Sequence, residues 1–142
     1  MVVGDRIKVM LDDGAYAPER AHKADAGLDL RSPITIKAKK GEAAVIDTGV
    51  HIRVPDGYVG MLKSKSGLNV KYSLLSEGVI DAGYTGSIVV KLYNHGEHDM
   101  MIERGDKISQ LVILPIITPE IELVGELEKT ERGNNGFGST GS

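Results

Sequence analysis

The 142-residue sequence contains no cysteine. That excludes disulfides, a zinc–thiolate centre and a cysteine nucleophile, and it fits the cytoplasm. Tryptophan is absent too, and a single phenylalanine stands against five tyrosines. A core must therefore be assembled from Val, Ile, Leu, Met and Ala. No window approaches the run of about 18 apolar residues that a membrane span needs. The N-terminus, Met1-Val2-Val3-Gly4-Asp5, lacks a basic segment leading into a long apolar stretch, so secretion and membrane insertion are both disfavoured. A formal net charge of -3 offers no broad basic surface for nucleic acid. The length suggests one domain, and 41% hydrophobic residues suffice for a compact core. What the chain has in plenty is glycine, 18 residues, and the glycines cluster.

Short alternating segments dominate. Arg6 to Leu11 alternates, with Ile7, Val9 and Leu11 on one face, and predicts a half-buried strand. Further strands are expected over Ile34–Ala38, Ala43–Thr48, Val50–Val54, Tyr58–Leu62, Met100–Ile102 and Lys107–Ile117, the last broken by Pro115. A final one is expected over Glu120–Leu127. Pro55-Asp56-Gly57 predicts a tight hairpin turn, and a short helical turn is expected after Ser66. Many short strands, turn residues between them and no long 3.6-residue period indicate an all-β sandwich or jelly roll.

The most informative internal stretch runs from Gly78 to Asn94. It reads as two strands joined by a tight connection, with Gly83 and Gly86 supplying positive φ. Asp81 stands at its mouth and Tyr84 adds an aromatic face. A stiff frame, an exposed turn backbone, an acid and a ring suit gripping a small molecule, although turn acids are common for purely local reasons. Lys63-Ser64-Lys65-Ser66-Gly67 offers two cations, two hydroxyls and a free backbone N–H, which suits phosphate as well as a solvated turn. Ser109 and Gln110 put a polar pair at the entrance of an apolar strand. Asp25 and Asp29 are candidates for holding a divalent cation through water, which magnesium allows when phosphates supply other ligands. His95 and His98 share a glycine turn with no third ligand and read as surface residues.

The tail Arg132-Gly133-Asn134-Asn135-Gly136-Phe137-Gly138-Ser139-Thr140-Gly141-Ser142 is the least ordinary segment. Glycine backbone exposes N–H groups that can cradle phosphate oxygens, and Arg132, Ser139 and Thr140 add donors. It lacks the Gly-Lys-Ser/Thr ending of a P-loop. A lone phenylalanine among glycines has no local core, and makes sense if it closes over a ligand base.

In order, these stretches resemble the five motifs of the trimeric dUTP diphosphatase (dUTPase) family. Ala24-Asp25-Ala26-Gly27-Leu28-Asp29-Leu30 is similar to the first, Lys65-Ser66-Gly67-Leu68 to the second and Gly78–Gly86 to the third. Gly105-Asp106-Lys107-Ile108-Ser109-Gln110-Leu111 is similar to the fourth, and Arg132–Gly141 to the fifth. The resemblance implies a jelly roll or distorted β-barrel over residues 1–127 and a flexible glycine-rich tail over 128–142 that closes the site. It implies a homotrimer with shared active sites, and Mg²⁺-dependent hydrolysis of dUTP to dUMP and pyrophosphate. That reaction keeps uracil out of DNA and supplies dUMP for thymidylate synthesis. Carried over, Asp81 is the general base that activates water for attack on the α-phosphorus. Tyr84 lies under the deoxyribose, and the backbone from Gly78 through Ile80 to Tyr84 reads the uracil edge. Lys65, Ser66, Gly67 and Gln110 bind phosphates, as do Arg132, Gly138, Ser139 and Thr140 from the tail. Phe137 covers the uracil, and Asp29 holds a magnesium-bound water.

The second motif usually reads Pro-Arg-Ser-Gly in that family. Here Ser64-Lys65-Ser66-Gly67 keeps the charge but gives up the planar two-pronged donor. Asn134-Asn135 is a smaller departure in the fifth. Two other readings share the fold: a dCTP deaminase-like or bifunctional enzyme, and a nucleotide-sensing binding module. The first is disfavoured by the absence of a family-like glutamate where Asp81 stands. The second is disfavoured by an intact Asp81 together with a complete tail.

Overall fold

The computed structural model describes residues 6–138. Eleven strands and one short helix follow in order. They are β1 (Lys8–Leu11), β2 (Gly27–Arg31), β3 (Ile36–Ala38), β4 (Ala43–Asp47), β5 (Val50–Arg53), β6 (Tyr58–Lys63), α1 (Ser66–Tyr72), β7 (Leu74–Leu75), β8 (Gly78–Ile80), β9 (Val89–Asn94), β10 (Met100–Ile102) and β11 (Lys107–Pro115). All pairings are antiparallel. β2-β11-β6-β8 form a four-stranded sheet and β4-β9-β7 a three-stranded one; β1 pairs with β5, and β3 with β10. The result is an all-β jelly roll whose strands do not close into a continuous barrel.

Strict alternation builds the core where both faces are committed. In β9, Val90, Leu92 and Asn94 are buried while Val89, Lys91 and Tyr93 are exposed. Its neighbour β4 buries Ala44 and Ile46 in the same layer. With Leu30, Val50, Ile52, Leu74, Ile108 and Leu111 these form one aliphatic core. No aromatic residue is fully buried in it, and Tyr58 packs only at its margin, as the composition predicted. Methionine contributes less than expected, through Met100 at that margin. Buried polar side chains other than Asp29 are hydrogen-bonded internally among the described residues. The Asn94 amide donates to the Ala38 and His98 carbonyls, at 2.8 and 2.9 Å, tying the end of β9 to the end of β3 and to the turn that follows β9.

Four expectations need correction. β1 is exposed along its whole length, Val9 and Leu11 included. Alternation distinguishes two faces, but among the described residues β1 pairs with β5 alone, along its edge, and neither face is covered. Pro55-Asp56-Gly57 does make a turn: Gly57 has φ 82°, and the Tyr58 N–H reaches the Pro55 carbonyl at 3.1 Å. It is a corner between sheets, however, because β5 pairs with β1 while β6 pairs with β11 and β8. The stretch from Gly78 to Asn94 is likewise not a hairpin. Ile80 pairs with Gly60, and Val89 pairs with Asp47 in the other sheet. The connection from Asp81 to Ile88 spans the gap between sheets, longer than hairpin loops run. Neither Gly83 nor Gly86 has a positive φ. Gly86 is needed for space instead, since a Cβ there would lie 2.5 Å from the Tyr84 hydroxyl.

The fourth correction concerns Glu120–Leu127, which forms no strand. β11 ends at Pro115, as the proline predicted, and residues 116–130 form no regular element. Ile117, Ile121, Leu123 and Leu127 are all more than 80% exposed. A strand needs a ladder partner, and among the described residues none lies beside this segment. The helical turn after Ser66 is α1, seven residues with no buried side chain. Leu68 alone leans on the core from it.

Candidate active site

Three of the motif stretches meet at one end of the four-stranded sheet. Register in β11 places Gln110 opposite both Asp29 of β2 and Lys63 of β6. These residues therefore share one face of the sheet, away from the Leu28–Leu111–Leu62 row of the core. The Gln110 amide donates to the Ser64 carbonyl at 2.9 Å, fixing the turn that leads into α1. Gly27 is glycine here because any Cβ would run into the Gln110 side chain, 2.0 Å from its Oε1. Ser109 points to the other side, bonding the buried Ser76 hydroxyl at 2.8 Å and the Lys63 carbonyl at 3.0 Å. Lys65 is the N-cap of α1 but makes no side-chain cap. Its ammonium turns instead to Asp29, 2.5 Å from Oδ1. Ser66 and Gly67 lie exposed in the first turn of α1.

Asp29 is 3% exposed and is shared by two lysines, with Lys107 Nζ 3.1 Å from Oδ2. Burial alone would push its carboxyl up. The Lys65 hydrogen bond and the charges of Lys65 and Lys107 outweigh this and hold it below the usual carboxylate range. Lys107 approaches Oδ2 as a charge without a well-aligned hydrogen bond, so that buried oxygen keeps an acceptor position. Among the described residues no group of three or more His, Asp or Glu side chains could hold a metal ion by itself. The arrangement fits a cation that arrives with its own phosphate ligands, for which one hard carboxylate oxygen suffices.

Asp29→Asn leaves Lys65 and Lys107 facing each other without a counter-ion. Both ammonium groups reach water, so the expected loss is about 2 kcal/mol of unfolding free energy, below the usual cost of breaking a fully buried pair. Denaturant titration at neutral pH measures it. The folded pKa is depressed, so the wild-type contribution is complete above the unfolded value near 3.8 and fades as pH falls through the lower folded one. The gap between wild type and variant should therefore close only in strong acid.

The second group lies at the other end of β8. Gly78 pairs with Leu62, beside the lysine cluster, and Ile80 with Gly60. Asp81 follows Ile80 and starts a turn closed by the Tyr84 N–H to the Asp81 carbonyl at 3.0 Å. Its side chain is exposed, and no described residue donates a hydrogen bond to the carboxylate. Tyr84 is 44% exposed, and its hydroxyl donates to the Ser87 carbonyl at 2.6 Å, which stands the ring up beside Gly86. Extending the β6–β8 register places Asp81 level with Val59, and strand rise then puts it roughly 17 Å along β6 from the Ser64 turn. The acid and the cations thus occupy opposite ends of one strand.

The tail stands apart from both groups. Phe137 is fully exposed with φ 50°, and Arg132 bonds only within the tail, Nε to the Asn135 carbonyl at 2.7 Å. Gly138 is exposed beside it. Ser139 and Thr140 lie outside the described residues. Asp25 does not face the cluster; it closes its own loop by accepting from His22 N at 3.0 Å and lies beside the His22 ring.

Across residues 13–141 the sequence matches the family model described as dUTPase. The chain belongs to the dUTPase family. It is 43% identical over 134 residues to the deoxyuridine 5'-triphosphate nucleotidohydrolase of Clostridium acetobutylicum, covering 92% of each chain. It is 41% identical over 132 residues to the protein of that name from Paramecium bursaria Chlorella virus 1, covering 92% of this chain and 94% of the viral one. Among solved structures, the dUTPase of staphylococcal bacteriophage 80alpha with dUpNHpp superposes with TM-score 0.90 at 38% identity, covering 97% of this chain and 99% of that one. A dUTPase variant from phage phi11 of S. aureus, described with a structural Mg(II) ion, superposes with TM-score 0.81 at 37% identity, over 88% and 100% of the two chains. The dUTPase motifs named from the sequence are thus placed: the first, second and fourth share one cluster, the third runs along β8 away from it, and the described part of the fifth, residues 132–138, makes no hydrogen bond to either group among the described residues.

Sequence reasoning missed three members of these groups. Lys107 sat inside the fourth motif unassigned, although its charge next to Asp106 was visible. His51 and Arg53 were legible as the polar face of β5, because Val50, Ile52 and Val54 are buried between them. Nothing in the sequence said which loop that face meets.

Proposed function

We propose that this chain hydrolyses dUTP to dUMP and pyrophosphate, with Asp81 as the base that takes a proton from the attacking water. The observation that carries the reading is the Asp81 carboxylate, exposed, without a hydrogen-bond donor among the described residues and fixed at the head of a loop beside the Tyr84 ring. A carboxylate with no donor on its oxygens keeps its lone pairs open to an attacking water. Tyr84 packs under the sugar, where a ribose 2′-hydroxyl would collide. The backbone from Gly78 through Ile80 pairs the uracil edge, so cytosine leaves buried donors and acceptors mismatched. Lys65, Ser66, Gly67 and Gln110 bind the phosphates. Asp29 holds a water of the magnesium that accompanies the triphosphate, and that ion neutralises charge on the leaving pyrophosphate. Arg132, Phe137, Gly138, Ser139 and Thr140 close from the tail, residues 128–142, over the folded part before it.

A homotrimer with sites shared between subunits belongs to this proposal. It is supported by the separation of Asp81 from the lysine cluster within one chain, by the exposed apolar side chains among residues 116–127, and by the full exposure of Phe137 among the described residues. No helix among the described residues is long and apolar enough to cross a membrane, and we place the enzyme in the cytoplasm.

Pyrophosphate release measured side by side with dUTP, UTP, dTTP and dCTP, with and without Mg²⁺, tests the function. Turnover of dUTP alone, at least about 10²-fold above the others, is the expected result. Ammonia from dCTP would instead mark a deaminase, and dUTP binding without pyrophosphate a sensing module.

A further inference from the structure

The loop that carries Asp81 and Tyr84 has no ladder bonds of its own between Ile80 and Ile88, so something else must hold it. Two side chains from one face of β5 do so. Arg53 Nη1 donates to the Ala82 carbonyl and also to that of Val54, while Nη2 donates to Asp56 Oδ1 at 3.0 Å. Two residues back, His51 Nδ1 lies 2.8 Å from the Thr85 carbonyl. The two donors bracket Gly83 and Tyr84. The other His51 nitrogen, Nε2, lies 3.0 Å from Asp12 Oδ1, in the loop that follows β1.

We propose that His51 and Arg53 are positioning residues that set the Asp81–Thr85 loop for catalysis, and that His51 holds both of its partners only as the imidazolium. This rests on reading that loop as the site of the nucleoside and the attacking water.

A carbonyl and a carboxylate both only accept, so each ring nitrogen must carry a proton to bond its partner. A neutral imidazole has one N–H and turns a lone pair toward the other oxygen. The Thr85 carbonyl first, then the Asp12 carboxylate, raise the His51 pKa above 6.5 against a smaller cost of desolvation, with Asp47 adding to the attraction. The opposing charges are Lys8 and Arg53, which share the groove formed by Val9, Met10, His51, Ile52 and Thr85. Arg53 keeps its charge throughout the working range, so its grip on Ala82 is constant. Below its ordinary pKa His51 holds both partners, and as pH rises through the elevated folded value one of the two hydrogen bonds is lost.

The test compares wild type, His51→Asn and His51→Ala in steady-state dUTP hydrolysis from about pH 6 to about pH 9. An asparagine Nδ2 can still donate to the Thr85 carbonyl but does not titrate. Wild-type KM, taken as a ratio to that of His51→Asn so that titration of the substrate cancels, should rise about five-fold across the range, the worth of one ordinary hydrogen bond. His51→Ala should show the raised KM at every pH, with kcat changed less than about two-fold. Proton NMR of the wild-type His51 ring gives a readout that needs no variant to fold, and its midpoint should lie above 6.5. A pH-independent KM ratio, or a ring that titrates at or below the ordinary value, would overturn the proposal. Repeating the dUTP affinity measurement in an Asp81→Asn background separates the two claims. Turnover by that variant would sink the base assignment, whereas the His51 dependence is read from binding alone.

Discussion

Asp81→Asn should abolish most turnover, lowering kcat by roughly 10² to 10⁴-fold, the usual worth of a positioned base. Dissociation constants for dUTP should move little. The amide is nearly isosteric with the carboxylate, and no described residue bonds the side chain that is replaced, so neither the turn nor the sheet has reason to shift. The backbone closure of the loop, Tyr84 N–H to the Asp81 carbonyl, is untouched by the substitution. Single-turnover rates set beside calorimetric binding separate the two effects. Near-normal turnover in the variant would remove Asp81 from the role of base.

Deleting residues 132–142 should cut kcat by on the order of 10²-fold, the scale on which loss of a closing element misplaces reacting groups. The midpoint of thermal unfolding should stay within a degree or two. The described part of the segment buries nothing: Phe137 is fully exposed, and the one Arg132 hydrogen bond stays inside the tail. Residues that touch no core cannot contribute much to its stability. A truncated chain that unfolds early would make the segment structural and deny it the part of a lid.

How much of this was readable beforehand depends on which surfaces lie within the chain. Where a strand is covered by its own chain, alternation told the truth: β9 buries Val90 and Leu92 and exposes Val89 and Tyr93. Where the chain provides no cover, the same pattern misled. Val9 and Leu11 in β1, and Ile121 and Leu123 beyond β11, alternate as a strand should, yet lie open. A hydrophobic period reports that a face wants burial, not what buries it. The turns show a related limit. Pro55-Asp56-Gly57 fixed the local geometry correctly, but a turn's chemistry does not specify whether its flanking strands pair with each other or diverge into two sheets. Gly86 was expected to relax the backbone, and it proves to make room for the Tyr84 ring. That is a non-local reason, invisible until the ring has been placed.

The candidate site divides along the same line. Its residue types and their order were legible, because phosphate-binding and proton-accepting chemistry constrains identity. The pairing of Lys65 and Lys107 around one buried carboxylate was not, since it depends on the register of β2 against β11. Nor were the two donors of β5, whose target is a loop almost thirty positions away in sequence.

The isolation of Phe137 has an optical consequence. The chain has no indole and no second phenylalanine, and this ring stands clear of the described residues around it. A tryptophan put in its place would be the sole such fluorophore of the protein, emitting as though in bulk water. Any blue shift when nucleotide is added would report the movement of that single position and no other.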